Sequence, residues 1–557
     1  MAIYGFVAAY RYHKTLKELK REAMRNKKLL LILSILFLST LPAEATTYTV
    51  KAGGGGNYTT VSACAAVAVA GDNCVVYAGT YSETPSLSHS GSAGSPITFS
   101  VNPGDCVTIH GFSLASGLSY VTIGTPNSSA CTTSGFTYSG FQVTGSAISF
   151  TTANHITIQN NYVHDVSDIC LAGPGTINKG TDTYFYVLNN ILTSCGGPNG
   201  LGGGIGMEGN HWLIDGNTFS HVEDGVYLYG SYLVVRNNSF GPVTQAEQGA
   251  NHPDAIESSC TAGSDYPLQH MLFEGNTIHD WRDTDGHGLL LRDTQQCGQT
   301  QNVMRFNQVY NIGSDFIAND VDSTQEIVYN NSISNVELDI SPKDFSSLVF
   351  TNGDTGANVI NNILVDNWRA ASADYCIYVD GASVSGFVEN HNLCFLTGYS
   401  GSWQNPNAAY SGTDIFNKSP LFVNATGDLH LNTGSPAIGV GGPLTTATGS
   451  GTSSTSLTVA NAAFFSDGYG LTGVQGDWIR IGASTTVQIA AVNFSTNVLT
   501  LASPVSWASG ASVYLYKDSK GNIVLNGSNP DLGAFPFGLA STSGAPVPPT
   551  NINITVH

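Results

Sequence analysis

The stretch WLIDGNTFSHV, residues 212–222, contains two short runs of alternating apolar residues separated by Gly-Asn. Alternation with a period of two is typical of strands that bury one face. Gly and Asn are typical of a sharp bend, because both tolerate the left-handed backbone region. One such unit cannot bury its apolar face alone, so the stretch predicts one coil of a repeating structure.

The same pattern recurs through much of the chain. The copies are HITIQNNYVHDV (155–166), YVLNNILTSC (186–195), YLVVRNNSFGPV (232–243), MLFEGNTIHDW (271–281), NVMRFNQVYNI (302–312), EIVYNNSISNV (326–336), ANVINNILVDN (357–367) and the degenerate SGFVENHNLCF (385–395). Their anchors are Asn161, Asn190, Asn217, Asn238, Asn276, Asn307, Asn331 and Asn362, which are 21 to 38 residues apart. This period predicts a solenoid in which stacked asparagines form a hydrogen-bonded ladder.

These repeats resemble the right-handed parallel β-helix proteins of the pectin-lyase-like superfamily, over most of residues 46–443. The start of that range, TTYTVKAGGGGNYTTVSACAAVAVAGDNCVVYAGTYSE, is similar to the N-terminal cap of the family. The resemblance implies a short amphipathic helix at about Thr59 to Ala70 that covers the open end of the solenoid. The predicted fold class is therefore all-β, although this fold hosts lyases, hydrolases, epimerases and adhesins.

A different domain interrupts the end of the predicted solenoid. FVNATGDLHLNTGSPAIGVG (422–441) and NPDLGAFPF (529–537) resemble one closing coil, which would occupy residues 517–541 after the interruption. Between them, residues 444–516 contain strands separated by Gly, Asn and Ser turns, which predicts an inserted antiparallel β-barrel or sandwich. Residues 542–557 are Pro-rich and are expected to be a disordered tail.

The first 45 residues have the pattern of a secretory signal. Basic residues precede the apolar run LLLILSILFLSTL (29–41), and Ala-Glu-Ala (43–45) follows it, which predicts cleavage after Ala45. Thirteen apolar residues are too few for a membrane span, which needs roughly 20. Met24 would start a signal of ordinary length, so residues 1–23 are interpreted as an upstream extension. We expect a secreted protein.

Ten cysteines all lie beyond Ala45, an even count that suggests disulfides in an exported chain. The simplest scheme pairs neighbours in sequence: Cys64 with Cys74, Cys106 with Cys131, Cys170 with Cys195, Cys260 with Cys297, and Cys376 with Cys394. Buried free thiols are the alternative. The chain has no CxxC pattern, which argues against a zinc site.

The charge balance restricts the partners. Residues 1–45 hold eight of the 20 basic and three of the 40 acidic residues, so the remainder carries a net charge of −25. Such a field repels nucleic acid and anionic membranes. A bound Ca²⁺ could still make an anionic polysaccharide a substrate, because it inverts the local charge. We expect a monomer.

A second short strand precedes each asparagine segment, and these strands align on a buried aliphatic residue. The aligned residues are Ile205, Val226, Ile256, Leu289, Ile317, Ile340 and Ile377. Two positions earlier stand Gly203, Asp224, Asp254, His287, Asp315, Leu338 and Tyr375, and three positions later stand Glu208, Tyr229, Ser259, Arg292, Asp320, Lys343 and Asp380. Because neighbouring coils are about 4.8 Å apart, each set predicts a continuous stripe on one face.

The first functional hypothesis for these stripes is a polysaccharide lyase. β-Elimination needs a base for the proton beside the uronate carboxyl, and His287, Arg292 and Lys343 are candidates. It also needs a cation or Arg to stabilise the enolate, and Asp254, Asp315 and Asp320 could hold Ca²⁺. Catalytic roles are thus predicted for His287, Arg292, Asp254, Asp315 and Lys343, and substrate contacts for His252, Glu257 and Tyr229.

The second hypothesis is glycoside hydrolysis, in which two carboxyls flank the scissile bond. Asp224 with Asp254, or Asp254 with Asp315, are candidate pairs. DGHG at 285–288 resembles the Gly-His-Gly of polygalacturonases, which implies a catalytic-site role for His287. The rest of that family's pattern departs: the sequence has no Asn-Thr-Asp, no Asp-Asp pair in the corresponding place and no Arg-x-Lys after the histidine.

The third hypothesis is a non-catalytic glycan-binding solenoid or adhesin, in which aromatic residues serve as sugar platforms. The candidates are Trp212, Tyr227, Tyr229, Trp281 and Trp368, for which packing within the coils is the alternative. The stripes also have a purely structural interpretation, because Asp at the start of a strand commonly bonds backbone amides. Surface solvation alone does not require acid, imidazole and guanidinium groups on adjacent coils, which favours a site.

Overall fold

The computed structural model describes residues 45–126, 130–173, 182–196, 202–244, 253–259, 268–283, 286–292, 298, 300–320, 324–339, 346–367, 375–397, 407 and 411–539. Residues from Thr47 onward form one compact unit. Within the described ranges, no helix is long and apolar enough to cross a membrane. The predicted signal sequence, all but its final Ala45, and the predicted C-terminal tail lie outside them.

Each coil contributes up to three parallel strands, which stack into a first, second and third face in chain order. The first-face strands are Ser86–Leu87, Phe112–Leu114, Ile148–Ser149, Leu171–Ala172, Ile205–Asp215 (its first half), Val226–Ser231, Ile256–Ser259, Leu289–Arg292, Ile317–Asp320, Ser346–Thr351 and Tyr375–Val379. The second-face strands are Thr47–Val50, Asn73–Val76, Ile97–Val101, Ser119–Ile123, Asn154–Gln159, Asp182–Leu188, the second half of Ile205–Asp215, Val234–Arg236, Leu272–Glu274, Val303–Arg305, Ile327–Tyr329, Asn358–Ile360 and Val388–Asn390.

The third face completes the coil. Its strands are Gly79–Tyr81, Val107–Ile109, Gln142–Thr144, Tyr162–Val166, Ile191–Cys195, Thr218–Val222, Ser239–Phe240, Thr277–His279, Gln308–Tyr310, Ser332–Ser334, Ile363–Asn367, Leu393–Thr397 and Ile415–Phe416. Neighbouring coils pair in parallel with matched register, as in Val226 beside Ile256 and Ile256 beside Leu289. Inward aliphatic side chains fill the interior. The predicted parallel β-helix is confirmed.

The recurring asparagines form a buried ladder at the bend between the second and third faces. Each side-chain Nδ2 donates to Oδ1 of the asparagine in the next coil, at 2.9–3.1 Å from Asn161 through Asn362. The left-handed residue is not the ladder asparagine, as the sequence suggested, but the one before it, for example Asn160 (φ 57°), Asn189 (φ 53°) or Gly216 (φ 75°). The Asn-Asn and Gly-Asn pairs therefore combine a bend with a hydrogen-bonding rung.

We expect Asn276→Ala to lower the free energy of unfolding by about 2–4 kcal/mol, since it leaves several buried polar groups without their hydrogen-bond partner. Asn276 accepts from the backbone N–H and Nδ2 of Asn238 and donates to the carbonyl of Val235. Chemical denaturation of the full chain would measure the loss. Asn526→Ala, at an exposed asparagine that bonds the Phe537 carbonyl, is the control. Equal effects of the two variants would contradict a stabilising ladder.

The N-terminal cap contains an α-helix, Val61–Ala65, which is shorter than predicted. Thr60 is its N-cap, and the Glu83 carboxylate accepts the N–H groups of Val61 (2.7 Å) and Ser62 (3.1 Å). Negative charge there stabilises the start of the helix. The Cys64–Cys74 disulfide ties the helix to the second-face strand Asn73–Val76.

Four of the five predicted disulfides are confirmed: Cys64–Cys74, Cys106–Cys131, Cys170–Cys195 and Cys376–Cys394. The fifth predicted pair, Cys260 with Cys297, lies outside the described residues.

The described part of the solenoid also contains two short antiparallel hairpins. They pair Cys131–Thr133 with Phe136–Tyr138 and Phe422–Asn424 with Asp428–Leu431.

The predicted antiparallel domain is also confirmed. Its strands are Thr445–Thr446, Gly451–Thr458, Trp478–Ile481, Thr485–Asn493, Val498–Trp507 and Ser512–Lys517. This insert packs on the second face, where outward Leu213, Val234, Leu272 and Val303 share one apolar cluster with its own core.

A column of charged residues on the second face lies beneath the insert. Asp215, Arg236, Glu274, Arg305 and Tyr329 stand side by side on consecutive coils. The guanidinium of Arg305, with its side chain fully buried, donates to both oxygens of Asp477 in the insert (2.7 and 2.8 Å). Arg236 donates to the Gly473 carbonyl in the insert and to Ser519, two residues after the last strand of the insert. These contacts fix the insert on the β-helix.

Candidate active site

Four polar residues lie in one column at the bend between the third and first faces. Asp224, Asp254, His287 and Asp315 each stand two residues before an aligned buried residue, and those aligned residues pair in register. The backbone also connects the coils here, because the N–H of Ala255 donates to the His287 carbonyl and that of Gly288 to the Asp315 carbonyl. The column predicted by the sequence alignment is therefore present in these coils.

The next coil differs from the predicted alignment. Ile317 pairs with Leu348, not with Ile340, and Asp320 pairs with Thr351. The segment LDISPK is a poor strand because Pro342 has no N–H to donate to the ladder, whereas Ser346–Thr351 alternates between inward and outward residues. The Lys343 position in the second stripe is thus taken by Thr351, and Lys343 itself lies outside the described residues.

The aspartates of the column act first as backbone acceptors. Asp224 Oδ1 accepts the N–H of Asp254 at 3.0 Å, and Asp254 Oδ1 accepts the N–H of His287 at 2.8 Å. One oxygen of each carboxylate therefore holds the next coil in place. This agrees with the structural interpretation of the stripe.

Three carboxylates come together at the start of the column. One oxygen each of Asp224, Asp254 and Glu257 lies within 4.8 Å of the others. Asp254 and Glu257 are buried, whereas Asp224 is half-buried. Burial and the charges of Asp254 and Glu257 raise the pKa of Asp224 well above its usual value. A donor set made only of carboxylate oxygens fits a hard divalent cation such as Ca²⁺, which would relieve this repulsion.

The histidine of the column is held by its neighbour. His287 Nδ1 lies 2.5 Å from Asp315 Oδ1, and the side chains are 15% and 5% exposed. The Oγ of Ser314 is 3.4 Å from the same nitrogen. A carboxylate at Nδ1 favours the proton there, so that Nε2 carries the lone pair. This arrangement orients the imidazole as a proton acceptor.

Of the predicted Ca²⁺ ligands, the structure describes the side chains of Asp254 and Asp315, whereas that of Asp320 lies outside the described part of the chain. His287 occupies the coil between Asp254 and Asp315, and Asp315 is paired with that histidine. The described carboxylates that meet are instead Asp224, Asp254 and Glu257, of which Glu257 was predicted as a substrate contact. Aligning the position directly after each buried aliphatic residue, where Glu257 stands beside Tyr227 and Leu290, would have indicated it.

The remaining predicted residues are only partly within the described part of the chain. Tyr229 stands beside Glu208 in the sheet, and its ring meets that of Tyr227 edge-on at 4.9 Å. Arg292 stands beside Ser259. His252 lies outside the described residues, as do the side chains of Arg292 and Asp320.

Two of the aromatic residues considered as sugar platforms belong to the core. Trp212 is fully buried and stacks on Phe185 at 4.2 Å between ring centroids. Trp281 is also fully buried, and its Nε1 donates to the Pro253 carbonyl behind the acidic group. Neither indole face is open to a glycan.

No family profile and no curated protein sequence matches this chain. Solved structures similar to it include pectate lyase Pel9A, at 16% identity and a TM-score of 0.33, with 72% of this chain and 93% of that chain covered. XylC in complex with xylose is 12% identical, with a TM-score of 0.41 and coverage of 88% and 98%. A mannuronic acid specific family 6 polysaccharide lyase from human gut microbiota is 13% identical, with a TM-score of 0.40 and coverage of 68% and 82%. Because these likenesses are distant, the function is argued from the side chains of the site.

Proposed function

We propose that this chain is a carbohydrate-active enzyme that cleaves an acidic polysaccharide by β-elimination. The observation that carries the proposal is the position of the oriented His287–Asp315 pair directly beside the group Asp224, Asp254 and Glu257. A base and a cation-binding set on adjacent coils are the two parts that such an elimination requires.

The acidic group provides the means to bind an anionic polymer. The chain beyond Ala45 carries a net charge of −25, which repels a polyuronate. Asp224, Asp254 and Glu257 would hold Ca²⁺, which supplies a positive charge that neutralises the uronate carboxylate and stabilises the enolate. Without it, the three carboxylates would repel the substrate from the site.

His287 is the proposed base that removes the proton from the substrate. In the tautomer favoured by Asp315, Nε2 accepts the proton beside the uronate carboxyl, and Asp315 stabilises the resulting imidazolium. Arg292, five residues further along the same coil, is the proposed contact for the substrate carboxylate. Lys343 remains the alternative base, with His252 and Tyr229 as proposed substrate contacts.

A second candidate function is glycoside hydrolysis, which one observation favours. The pKa of Asp224 is raised well above its usual value beside the carboxylate of Asp254. A carboxyl group with a raised pKa beside a second carboxyl group is the pair of general acid with nucleophile or base that glycosidases use. In this case the products would be saturated and the metal would be unnecessary.

The cation requirement separates the two candidates. We expect pectate or alginate to give an unsaturated, ultraviolet-absorbing product in the presence of Ca²⁺, and a chelator to abolish it reversibly. A neutral polymer such as a xylan serves as the control substrate. Cleavage that persists in the chelator and gives saturated products would replace elimination by hydrolysis.

We also propose that the protein is exported. The four described disulfides support an oxidising compartment, since such bonds are rare in the cytosol. Detection of a mature protein that begins after Ala45 in the culture medium would test the proposed signal.

A further inference from the structure

A ladder of aromatic rings follows the bend between the first and second faces. It consists of Tyr120, His155, Tyr184, His211, Tyr232 and His270, one residue per coil, with ring centroids 4.4–5.1 Å apart. All six have left-handed backbones, with φ between 53° and 59°. Their faces are covered by one another, so the ladder itself is a structural element.

The insert supplies the last ring of this ladder. Phe494 stacks on His270 at 4.2 Å between centroids, with an angle of 19° between the rings. Burial lowers the pKa of His270 to about 4, so its imidazole is neutral at neutral pH. The column then continues without aromatic residues, through Gln301 and Gln325 and on to Gly356.

A groove of about 470 Å³ opens where the aromatic rings end, between the β-helix and the insert. Its floor is low because Gly356 (φ 74°) and Gly386 (φ 72°) occupy positions of the column where earlier coils carry rings. Phe494 forms one end of the groove, on the side away from His270. The volume is in the range of small-ligand sites.

The groove is lined by side-chain amides, and none of the described residues that line it is charged. The amides belong to Gln301, Gln325, Asn358, Asn461 and Asn497. Each uses one polar atom internally, in the bonds from Gln301 Nε2 to Gln325 Oε1, from Asn358 Nδ2 to the Gly356 carbonyl, and from the N–H groups of Ala463 and Ala462 to Asn461 and Asn497. Among the described residues, this leaves two carbonyl oxygens and three NH₂ groups for a ligand.

We propose that this groove is a binding site for a neutral saccharide, separate from the candidate active site. Sugar hydroxyls both donate and accept hydrogen bonds, which matches the mixture of amide oxygens and NH₂ groups. The apolar face of a sugar ring packs on an aromatic face such as that of Phe494. Among the described lining residues, an anionic sugar would meet no cation and a cationic ligand would meet no carboxylate.

The site holds one segment of a neutral glycan while the first face acts on a different, acidic one. It therefore anchors the enzyme to mixed polysaccharide material, and this role does not depend on the reaction proposed above. The insert is the element that creates the site, because Phe494, Asn461 and Asn497 all belong to it.

The test is calorimetric titration of the full chain with neutral glucan, xylan and galactan oligosaccharides and with uronate oligosaccharides. We expect at least one neutral oligosaccharide to bind, and Phe494→Ala to weaken this binding at least about tenfold. Gly356→Asn should abolish binding by filling the floor, because Asn tolerates the left-handed backbone and the added Cβ meets its nearest atom at 3.5 Å. Phe535→Ala, at a ring that stacks on His430 elsewhere, is the matched control and should bind normally.

Absence of binding to every neutral oligosaccharide would overturn the proposal, as would binding that survives both Phe494→Ala and Gly356→Asn. Cleavage of a soluble acidic polymer should be unchanged in both variants. An absence of saccharide binding in the groove is therefore distinguishable from an absence of the proposed β-elimination.

Discussion

Replacing Asp477 with alanine is expected to lower the free energy of unfolding by about 3–5 kcal/mol, because it leaves a buried guanidinium short of its bidentate partner. Asp477 and Arg305 are both fully buried, and two hydrogen bonds connect them across the boundary between the insert and the β-helix. Burial alone would lower the pKa of Arg305, but Asp477 and Glu274 hold it well above its usual value. The arginine thus stays charged, so the variant has to bury a charged guanidinium that has lost this partner.

Chemical denaturation of the full chain, followed by tryptophan fluorescence, would measure this loss. Lys520→Ala is the matched control, since Lys520, three residues after the last strand of the insert, contacts Asp215 of the same column, but at 3.4 Å and with its side chain 40% exposed. Exposed pairs contribute at most about 1 kcal/mol. Comparable destabilisation by both variants would contradict the assignment of Arg305 and Asp477 as the main link between insert and solenoid.

Replacing His287 with alanine is expected to lower kcat by about 10²–10⁴-fold, the usual contribution of a general base. KM should change little, because the acidic group and the other substrate contacts remain. Asp315→Asn should lower kcat by about 10–100-fold, as expected for a group that orients a functional histidine, and should also alter the pH profile of kcat. A merely structural Asp315 would change stability without changing that profile.

The control for His287 is His430→Ala. His430 has a similar contact, Nδ1 to Asp428 Oδ1 at 2.6 Å, on an exposed hairpin outside the site. Its removal should leave cleavage of the acidic polymer unchanged. Full activity of His287→Ala would contradict the assignment of His287 as the base and would favour Lys343 instead.

The fold was predictable because its signals are local and repeated. Ladder asparagines recur from coil to coil, and most of the bends beside them carry Gly or Asn, so the register of the second and third faces follows from their spacing. The same spacing also contains signals that the sequence interpretation missed. Aromatic Tyr or His stands six residues before the asparagine in coil after coil, as in His155 and Asn161, and charged residues stand two before it, as in Arg305 and Asn307.

The site was less predictable because first-face strands follow loops of variable length. One loop led the alignment to choose Ile340, where the chain places Leu348. The alignment placed Asp224 in the column of Asp254, but it did not group Glu257 with them, because Glu257 stands three residues further along the coil, in a different column. The docking of Asp477 on Arg305 joins residues 172 positions apart, for which the repeat gives no signal.

The masses of the products released from an acidic polysaccharide test the central proposal most directly. Elimination predicts unsaturated oligosaccharides, each lighter by one water molecule than the saturated oligosaccharide of the same length, and their loss in His287→Ala. Products that are all saturated, or no products from any acidic polymer in the presence of Ca²⁺, would contradict the assignment of His287 and its acidic neighbours to β-elimination.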